Sequence, residues 1–248
     1  MIEKLNYFKD PNFRFDPGSH TYTYFENGEP VQIFESVSGF ISQFKQPFDS
    51  QRISKYVARS KGVSQEEILA EWKEKGDIGK RVGTITHDWI ENFYKGLGQV
   101  LPTDESALIR INEFKKLYES RLYKLNPVEF ELRIFSRKWG IAGTLDSLFE
   151  IDQRYYVGDW KTNKDFTDDD HPRGTRQKLL YPFEDLWDNN LNGYSIQVST
   201  YMLILEEHGF NTDGAFLAWI GPNSSKIYRA LDLRDRLRSF LDRHSLAF

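Results

Sequence analysis

The clearest structural signal in this sequence is a pair of charged motifs embedded in apolar, strand-forming sequence. Residues 143–146 read Gly-Thr-Leu-Asp, and residues 159–161 read Asp-Trp-Lys. The flanking residues are apolar, aromatic or β-branched, which predicts two neighbouring strands joined by a short turn. Because successive side chains of a strand point to opposite faces, Asp159 and Lys161 share one face and Trp160 points to the other.

The two motifs place two carboxylates and an ammonium group on one surface of a sheet, which is costly without compensation. A divalent cation bound by Asp146 and Asp159, with a phosphate held by Lys161, would compensate all three charges. This chemistry predicts a nuclease-type site. An Asp-x-Lys triplet is also common at a solvated strand end, where it forms only a weak surface ion pair. The triplet alone does not separate these two interpretations.

Other polar residues recur at spacings that favour a site. Glu131 lies fifteen residues before Asp146 on a predicted strand, and Gln197 and Tyr201 lie one turn apart on a predicted helix. On an earlier helix, the polar residues around His87 form a stripe opposite an apolar stripe. That polar stripe is either the solvated face of the helix or a face turned toward the aspartates, and helix geometry leaves both open.

Turn and capping signals divide the rest of the chain into short elements. Asn-Gly at 27–28 between two alternating segments predicts a β-hairpin. Ser-Gln-Glu-Glu at 64–67 is a capping box that opens a helix ending at Gly76. A separate helix over 79–94 carries the histidine. Further strands are predicted over 128–135, 139–151, 154–160, 214–220 and 226–231.

In kind and in order, the polar motifs resemble those of the PD-(D/E)xK superfamily of nucleases, specifically its RecB-like exonuclease group. The resemblance covers roughly residues 80 to 205 and rests on His87, Glu131, the motifs at 143–146 and 159–161, and the segment 197–201. The segment 34–38, with Ser36 and Ser38, and the segment 182–184 are similar to phage-type members and to mitochondrial genome maintenance exonucleases. Ser38 stands where those relatives often have threonine.

The resemblance implies an α/β fold with a restriction-endonuclease-like core, in which a central mixed β-sheet is flanked by helices. Residues 79–248 would form the nuclease core. Residues 1–78 would form an N-terminal hairpin and helical elaboration packed on it, the whole being one structural domain. A chain of 248 residues with 39% hydrophobic and 15% aromatic residues is large enough to bury such a core.

Oxygen ligands favour Mg²⁺ or Mn²⁺ over softer metals. We therefore expect one of these ions, with Asp146 and Asp159 as its principal ligands. The resemblance adds the Trp160 backbone carbonyl and His87 as further ligands. Lys161 would orient the attacking water and stabilise the charge that develops on the phosphoryl group.

The remaining candidates support the metal or the substrate. Glu131 would hold or tune the metal shell, directly or through a water. Gln197 and Tyr201 would fix Lys161 or contact the substrate strand, although packing of their helix against the sheet would explain them as well. Candidate substrate contacts elsewhere are Ser36, Ser38 and Arg176.

Composition narrows the class of protein. The chain has no cysteine, which excludes disulfides, iron–sulfur clusters and cysteine-ligated zinc. It therefore differs from those RecB-like nucleases that carry a four-cysteine cluster, and we expect no zinc. The net charge of −4 argues mildly against general affinity for nucleic acid, so binding would depend on local basic residues. Candidates for that role are Lys161, Lys164, Arg173, Arg176 and Lys178.

No apolar run approaches the length of a membrane span, and the first four residues lack the apolar region of a signal peptide. We therefore expect no membrane association and a cytoplasmic location, in the host cytoplasm if the chain is phage-encoded.

Together, the motifs and the resemblance predict a metal-dependent DNA exonuclease that hydrolyses phosphodiester bonds of single-stranded ends or flaps, in phage or DNA replication, recombination or repair. The preference for ends comes from the resemblance alone. Two alternatives stay open. One is a nucleic-acid-binding module that does not cleave, and the other is an endonuclease acting on DNA or RNA with the same site.

Overall fold

A computed structural model describes residues 2–166 and 177–244. The helices are α1 (Ile2–Phe8), α2 (Val37–Ser42), α3 (Ser50–Lys61), α4 (Gln65–Tyr94), α5 (Glu105–Ser120), α6 (Asn190–Glu207) and α7 (Arg234–His244), with a 3-10 turn at Leu122–Lys124. The strands are β1 (Phe13–Asp16), β2 (Thr21–Glu26), β3 (Glu29–Ser36), β4 (Asn126–Ser136), β5 (Ile141–Ile151), β6 (Arg154–Lys161), β7 (Thr212–Ile220) and β8 (Ser225–Arg229).

The strands of the described residues form one eight-stranded mixed sheet. Seven of them follow the order β1-β2-β3-β5-β6-β7-β8, and β4 pairs with β5. The pairs β3–β5 and β6–β7 are parallel, and the other pairs are antiparallel. Because helices flank this sheet, the expected α/β class with a central mixed sheet is confirmed.

Strand β5 is the place where the sheet divides. Strand β4 pairs with β5 along its length, so β3 and β6 must share the opposite edge. On that edge β3 pairs with Ile141 and Ala142, and β6 pairs with residues 147–151. Within the described part of the chain, residues 143–146 have no partner strand on this edge. We call this gap the fork, and it contains the Gly-Thr-Leu-Asp motif.

Two hydrophobic cores hold the helices against the sheet. In the first core, α2, α6 and α7 contribute buried residues such as Phe40, Ile204 and Leu237. In the second core, α4 and α5 pack around Phe114 and Trp160. The Trp160 side chain thus lies in the second core, away from its two charged neighbours, as strand alternation predicts.

Several local predictions are confirmed. Asn27 and Gly28 both have positive φ (54° and 88°), as a two-residue hairpin turn that matches the strand twist requires. Ser64 and Glu67 form the capping box, in which each side chain accepts from the other residue's backbone N–H. These signals succeed because they depend only on neighbouring residues.

The prediction that Gly76 ends one helix and that a second begins at Gly79 is wrong. Helix α4 is one helix of 30 residues that passes through both glycines. A glycine in a helix interior costs only about 1 kcal/mol relative to alanine. The neighbouring ion pair between Lys73 and Asp77, at 2.6 Å, offsets a small part of that cost. The proposed boundary between residues 78 and 79 falls inside this helix.

Replacing Gly158 with alanine is expected to lower the free energy of unfolding by about 1–3 kcal/mol, because the new methyl group has no room. A Cβ at this position would lie 2.5 Å from Ser147 Oγ and 2.6 Å from Phe216 Cζ. Gly76→Ala is the matched control. Its Cβ would meet nothing within 4 Å, so it should stabilise the helix by about 1 kcal/mol. Urea denaturation measures both changes, and equal effects would contradict the prediction.

Candidate active site

Three potential metal ligands from three different elements meet at the fork. His87 lies on α4, Glu131 on β4 and Asp146 on β5. His87 Nδ1 is 3.6 Å from Asp146 Oδ2 and 3.9 Å from Glu131 Oε1. One ligand atom from each residue lies within 4.8 Å of the others. This His/Glu/Asp triad could bind a metal ion, since imidazole and carboxylate are both common ligands of divalent metals.

The backbone of β4 is distorted where it supplies its ligand. Glu131 has a left-handed conformation, with φ of 49°, which is uncommon for a residue other than glycine. The residues on either side of it pair with Leu145 and Ser147 of β5. Glu131 therefore lies level with Asp146 on the adjacent strand. Such local strain is characteristic of functional positions.

Asp159 and Lys161 form an ion pair beside the triad. Lys161 Nζ lies 2.7 Å from Asp159 Oδ2, and the two side chains are 15% and 1% exposed. The interpretation of this motif as a solvated strand end is therefore wrong. Asp159 Oδ1 is buried and has no hydrogen-bond partner among the described residues. The Trp160 N–H between them donates to Asp146 Oδ2 at 2.8 Å, which links the pair to the triad.

Hydrogen bonds connect the lysine to helix α6. Lys161 Nζ donates to Gln197 Oε1 at 3.1 Å, and Gln197 Nε2 donates to Tyr201 Oη at 3.1 Å. The ring of Tyr201 packs on Gly143, where a Cβ would lie 2.8 Å from Tyr201 Cε1. The glycine of the 143–146 motif is thus needed for close approach of this ring. Of the contacts considered for Gln197, the structure contains the one to Lys161.

Burial raises the pKa values of all three carboxyl groups, because the charged form loses its hydration. The pKa of Glu131 is raised to about 8 by burial, with a further contribution from the charge of Asp146. Burial raises the pKa of Asp146 to about 6 and that of Asp159 to about 6, in each case against the opposing effect of Lys161. A bound cation would relieve this accumulation of negative charge.

The pKa values of Lys161 and His87 shift in directions that suit a metal site. Burial acts to lower the pKa of Lys161, but the charges of Asp159 and Asp146 outweigh it and the pKa is raised. Lys161 is therefore a cation at neutral pH. Burial and the charge of Lys161 lower the pKa of His87 to about 4. His87 is therefore neutral at pH 7, which is the form that binds metals.

Of the remaining predicted site residues, Ser36 and Ser38 lie at the start of α2. Ser36 is the N-cap of α2, where its Oγ accepts from the Gly39 N–H at 3.0 Å and lies 3.1 Å from Ser38 Oγ. Ser36 also pairs with Ala142, which brings this end of α2 next to the fork. Arg176 lies outside the described residues. The Trp160 carbonyl as a metal ligand stays a prediction.

Sequence reasoning missed two tyrosines at the site. Tyr22 of β2 is buried, and its Oη lies 3.0 Å from Oγ1 of Thr144 in the motif. No local pattern links a hairpin strand to a motif more than a hundred residues later. The ring centre of Tyr194 lies 4.2 Å from Lys161 Nζ. The sequence contains a signal for this contact, because Tyr194 precedes Gln197 by three residues on the same helix and residues three apart share a helix face.

The stability of the metal-free protein is expected to fall between pH 6.5 and 8, and Glu131 is the cause. Its pKa is about 8 in the folded state and 4.5 ordinarily, so only the folded state binds its proton in this range. A group of this kind lowers the free energy of unfolding by up to about 1.4 kcal/mol per pH unit as pH rises. Asp146, Asp159 and His87 titrate mainly below this range.

Glu131→Gln tests this expectation, because the amide cannot titrate. Urea denaturation in EDTA at pH 6.5 and 8 should show a smaller decrease in stability for this variant than for the unmodified protein. Glu129→Gln, two residues earlier on β4, is the control and should keep the full decrease. An unchanged slope in Glu131→Gln would contradict the assignment.

No protein-family model matches the chain, and no curated protein matches it. Among solved structures, the chain is similar to one described as the crystal structure of SSO0001. The two have 14% sequence identity and a TM-score of 0.33, with 99% of this chain and 82% of that chain covered. A similarity at this level supports no argument about fold or function. Within residues 2–166 and 177–244, no helix is long and apolar enough to cross a membrane.

Proposed function

We propose that this protein is a metal-dependent nuclease of the PD-(D/E)xK type that degrades DNA from single-stranded ends. The observation that carries the proposal is the meeting of the His87–Glu131–Asp146 triad with the buried Asp159–Lys161 pair at the fork. A metal-binding group next to a fixed cation is the arrangement that hydrolysis of a phosphodiester needs. The sequence resemblance supports the same reading.

The residues present fit a hard divalent cation. Three carboxylates and a neutral imidazole supply mainly oxygen ligands, which favour Mg²⁺ or Mn²⁺. Asp159 Oδ1, buried without a partner among the described residues, is a further donor of the kind a cation would satisfy. His87, Glu131 and Asp146 would hold the ion together with Asp159. When bound, the ion would supply Lewis acidity toward a phosphate and toward water.

The protein's own side chains account for the rest of the proposed mechanism. Lys161 stays protonated, so it acts as a fixed positive charge that stabilises negative charge developing on the phosphoryl oxygens. Its hydrogen bond to Gln197 and its ion pair with Asp159 hold the ammonium group in place. Tyr201 in turn anchors Gln197. Because the ammonium group of Lys161 is already in place before the substrate binds, it does not have to be reoriented during the reaction.

A cleavage experiment tests the proposal. An end-labelled linear single-stranded DNA and a circular one are incubated with the protein, with Mn²⁺ or with EDTA. We expect Mn²⁺-dependent loss of the linear strand, no loss in EDTA and no loss of the circle. Loss of both DNAs would indicate an endonuclease, and faster loss of a matched RNA would indicate a ribonuclease. Binding in a mobility-shift assay with no cleavage would indicate a binding module.

A further inference from the structure

An arginine next to the metal triad has no charged partner among the described residues. Arg133 lies two residues after Glu131 on β4, and its side chain is exposed. Among the described residues it makes no ion pair and no hydrogen bond. Its guanidinium carbon instead lies 5.4 Å from the centre of the Phe15 ring. This stacking orients the guanidinium group and leaves its five N–H donors available.

The surroundings of Arg133 connect it to the site. Arg133 lies directly opposite Thr144 in the β4–β5 register, and Thr144 Oγ1 lies 3.0 Å from Tyr22 Oη. Burial raises the pKa of Tyr22, while the charge of Arg133 lowers it and that of Glu131 raises it. Both charges thus act on the same hydroxyl group. Glu131 and Arg133 also line one cavity of about 330 Å³.

Two other basic residues nearby are already paired. Lys9, which lines the same cavity, forms an ion pair with Glu129. Arg137, just after β4, lies 3.1 Å from Glu26. Among the described residues, Arg133 and Arg14 are thus the cations of this region that form no ion pair, and of the two Arg133 lies on the strand that carries Glu131. Leaving an arginine unpaired beside a group of carboxylates is consistent with an anion that arrives from outside.

We propose that Arg133, supported by Phe15, binds the phosphate that neighbours the scissile phosphate on the substrate strand. Arg133 lies two residues from Glu131 on the same strand, so a nucleic-acid strand with its scissile phosphate at the triad has a neighbouring phosphate within reach of this long side chain. A planar guanidinium group matches a phosphate through two parallel hydrogen bonds. This subsite rests on the proposed nuclease function and extends it, because it defines a direction for the strand away from the metal.

Arg133→Gln tests the subsite against Arg14→Gln. Arg14 is a matched control because it is also exposed, precedes Phe15 and stacks on a different ring, Phe25, at 4.6 Å. Binding of a fluorescent single-stranded oligonucleotide is measured by anisotropy with Ca²⁺ at several salt concentrations. We expect Arg133→Gln to weaken binding about tenfold and to reduce the slope of log K against log salt by about 0.7, the value for one lost phosphate contact.

The variants also separate a binding role from a structural one. In cleavage assays with Mn²⁺, Arg133→Gln should raise KM with little change in kcat. Arg133→Lys, which keeps the charge but not the paired hydrogen bonds, should recover part of the affinity. Unchanged binding in Arg133→Gln, or equal losses in Arg133→Gln and Arg14→Gln, would overturn the subsite. Failure of the unmodified protein to cleave would overturn the nuclease proposal instead, whatever the binding results.

Discussion

Asp159→Ala is expected to abolish metal-dependent cleavage of DNA while the protein still folds. The substitution removes a carboxylate whose buried Oδ1 has no partner among the described residues, and it removes the ion-pair partner of Lys161. Loss of a proposed metal ligand, together with loss of the group that holds Lys161, should lower kcat by at least about 10³-fold. Breaking a buried ion pair costs about 3 kcal/mol, which is less than the stability of an ordinary domain.

The control for this variant is Asp213→Ala. Asp213 also belongs to an ion pair of the sheet, with Arg154 at 3.1 Å, but it lies at the surface away from the fork. The Asp213→Ala variant should keep full cleavage activity. Circular dichroism and urea denaturation establish that both variants fold. Undiminished Mn²⁺-dependent cleavage by folded Asp159→Ala would refute the proposed mechanism.

Lys161→Met is expected to lower kcat by roughly 10²–10³-fold and to leave Mn²⁺ binding intact. Methionine keeps much of the aliphatic part of the lysine side chain and removes the charge. The metal triad does not include Lys161, so a cation should still bind. The variant should bind Mn²⁺ at least as tightly as the unmodified protein, because the ammonium group no longer repels the ion.

Gln197→Ala provides the graded comparison for the lysine. This substitution removes one hydrogen bond to Lys161 Nζ but keeps the ammonium group and its pairing with Asp159. We expect a smaller decrease in kcat, of about tenfold, since a typical hydrogen bond to a charged group contributes about 1.5 kcal/mol. Isothermal titration with Mn²⁺ and single-turnover cleavage separate binding from chemistry. A Lys161→Met variant that lost metal binding would contradict the assigned role.

Much of this site was accessible from the sequence because its chemistry is local. The 143–146 and 159–161 motifs indicated neighbouring strands, and β5 and β6 are such a pair. The alternation rule correctly separated Trp160 from the charged residues on either side of it. The polar stripe on the helix of His87 left two orientations open, and in the structure His87 is directed toward Asp146.

What could not be predicted depends on contacts between distant parts of the chain. Nothing near Tyr22 indicates that its hydroxyl lies against Thr144, because that contact requires the pairing of β3 with β5. The fork has the same origin. Pairing of strands more than a hundred residues apart is decided by packing of the whole sheet, and local propensity does not contain it. The continuity of α4 through Gly76 and Gly79, where the sequence predicted a break, likewise shows that the rest of the structure overrides local propensity.

The fork has a consequence for the order in which the site can assemble during synthesis on the ribosome. A nascent chain that has emerged only through β4 contains His87 and Glu131 but neither aspartate. The edge of β5 that holds β3 and β6 apart does not exist until residue 151 has been made. Gln197 and Tyr201 arrive later still, on α6. A metal held as proposed would therefore bind only after Asp159 has been translated, and the early hairpin has to wait for its partner strand with its edge exposed.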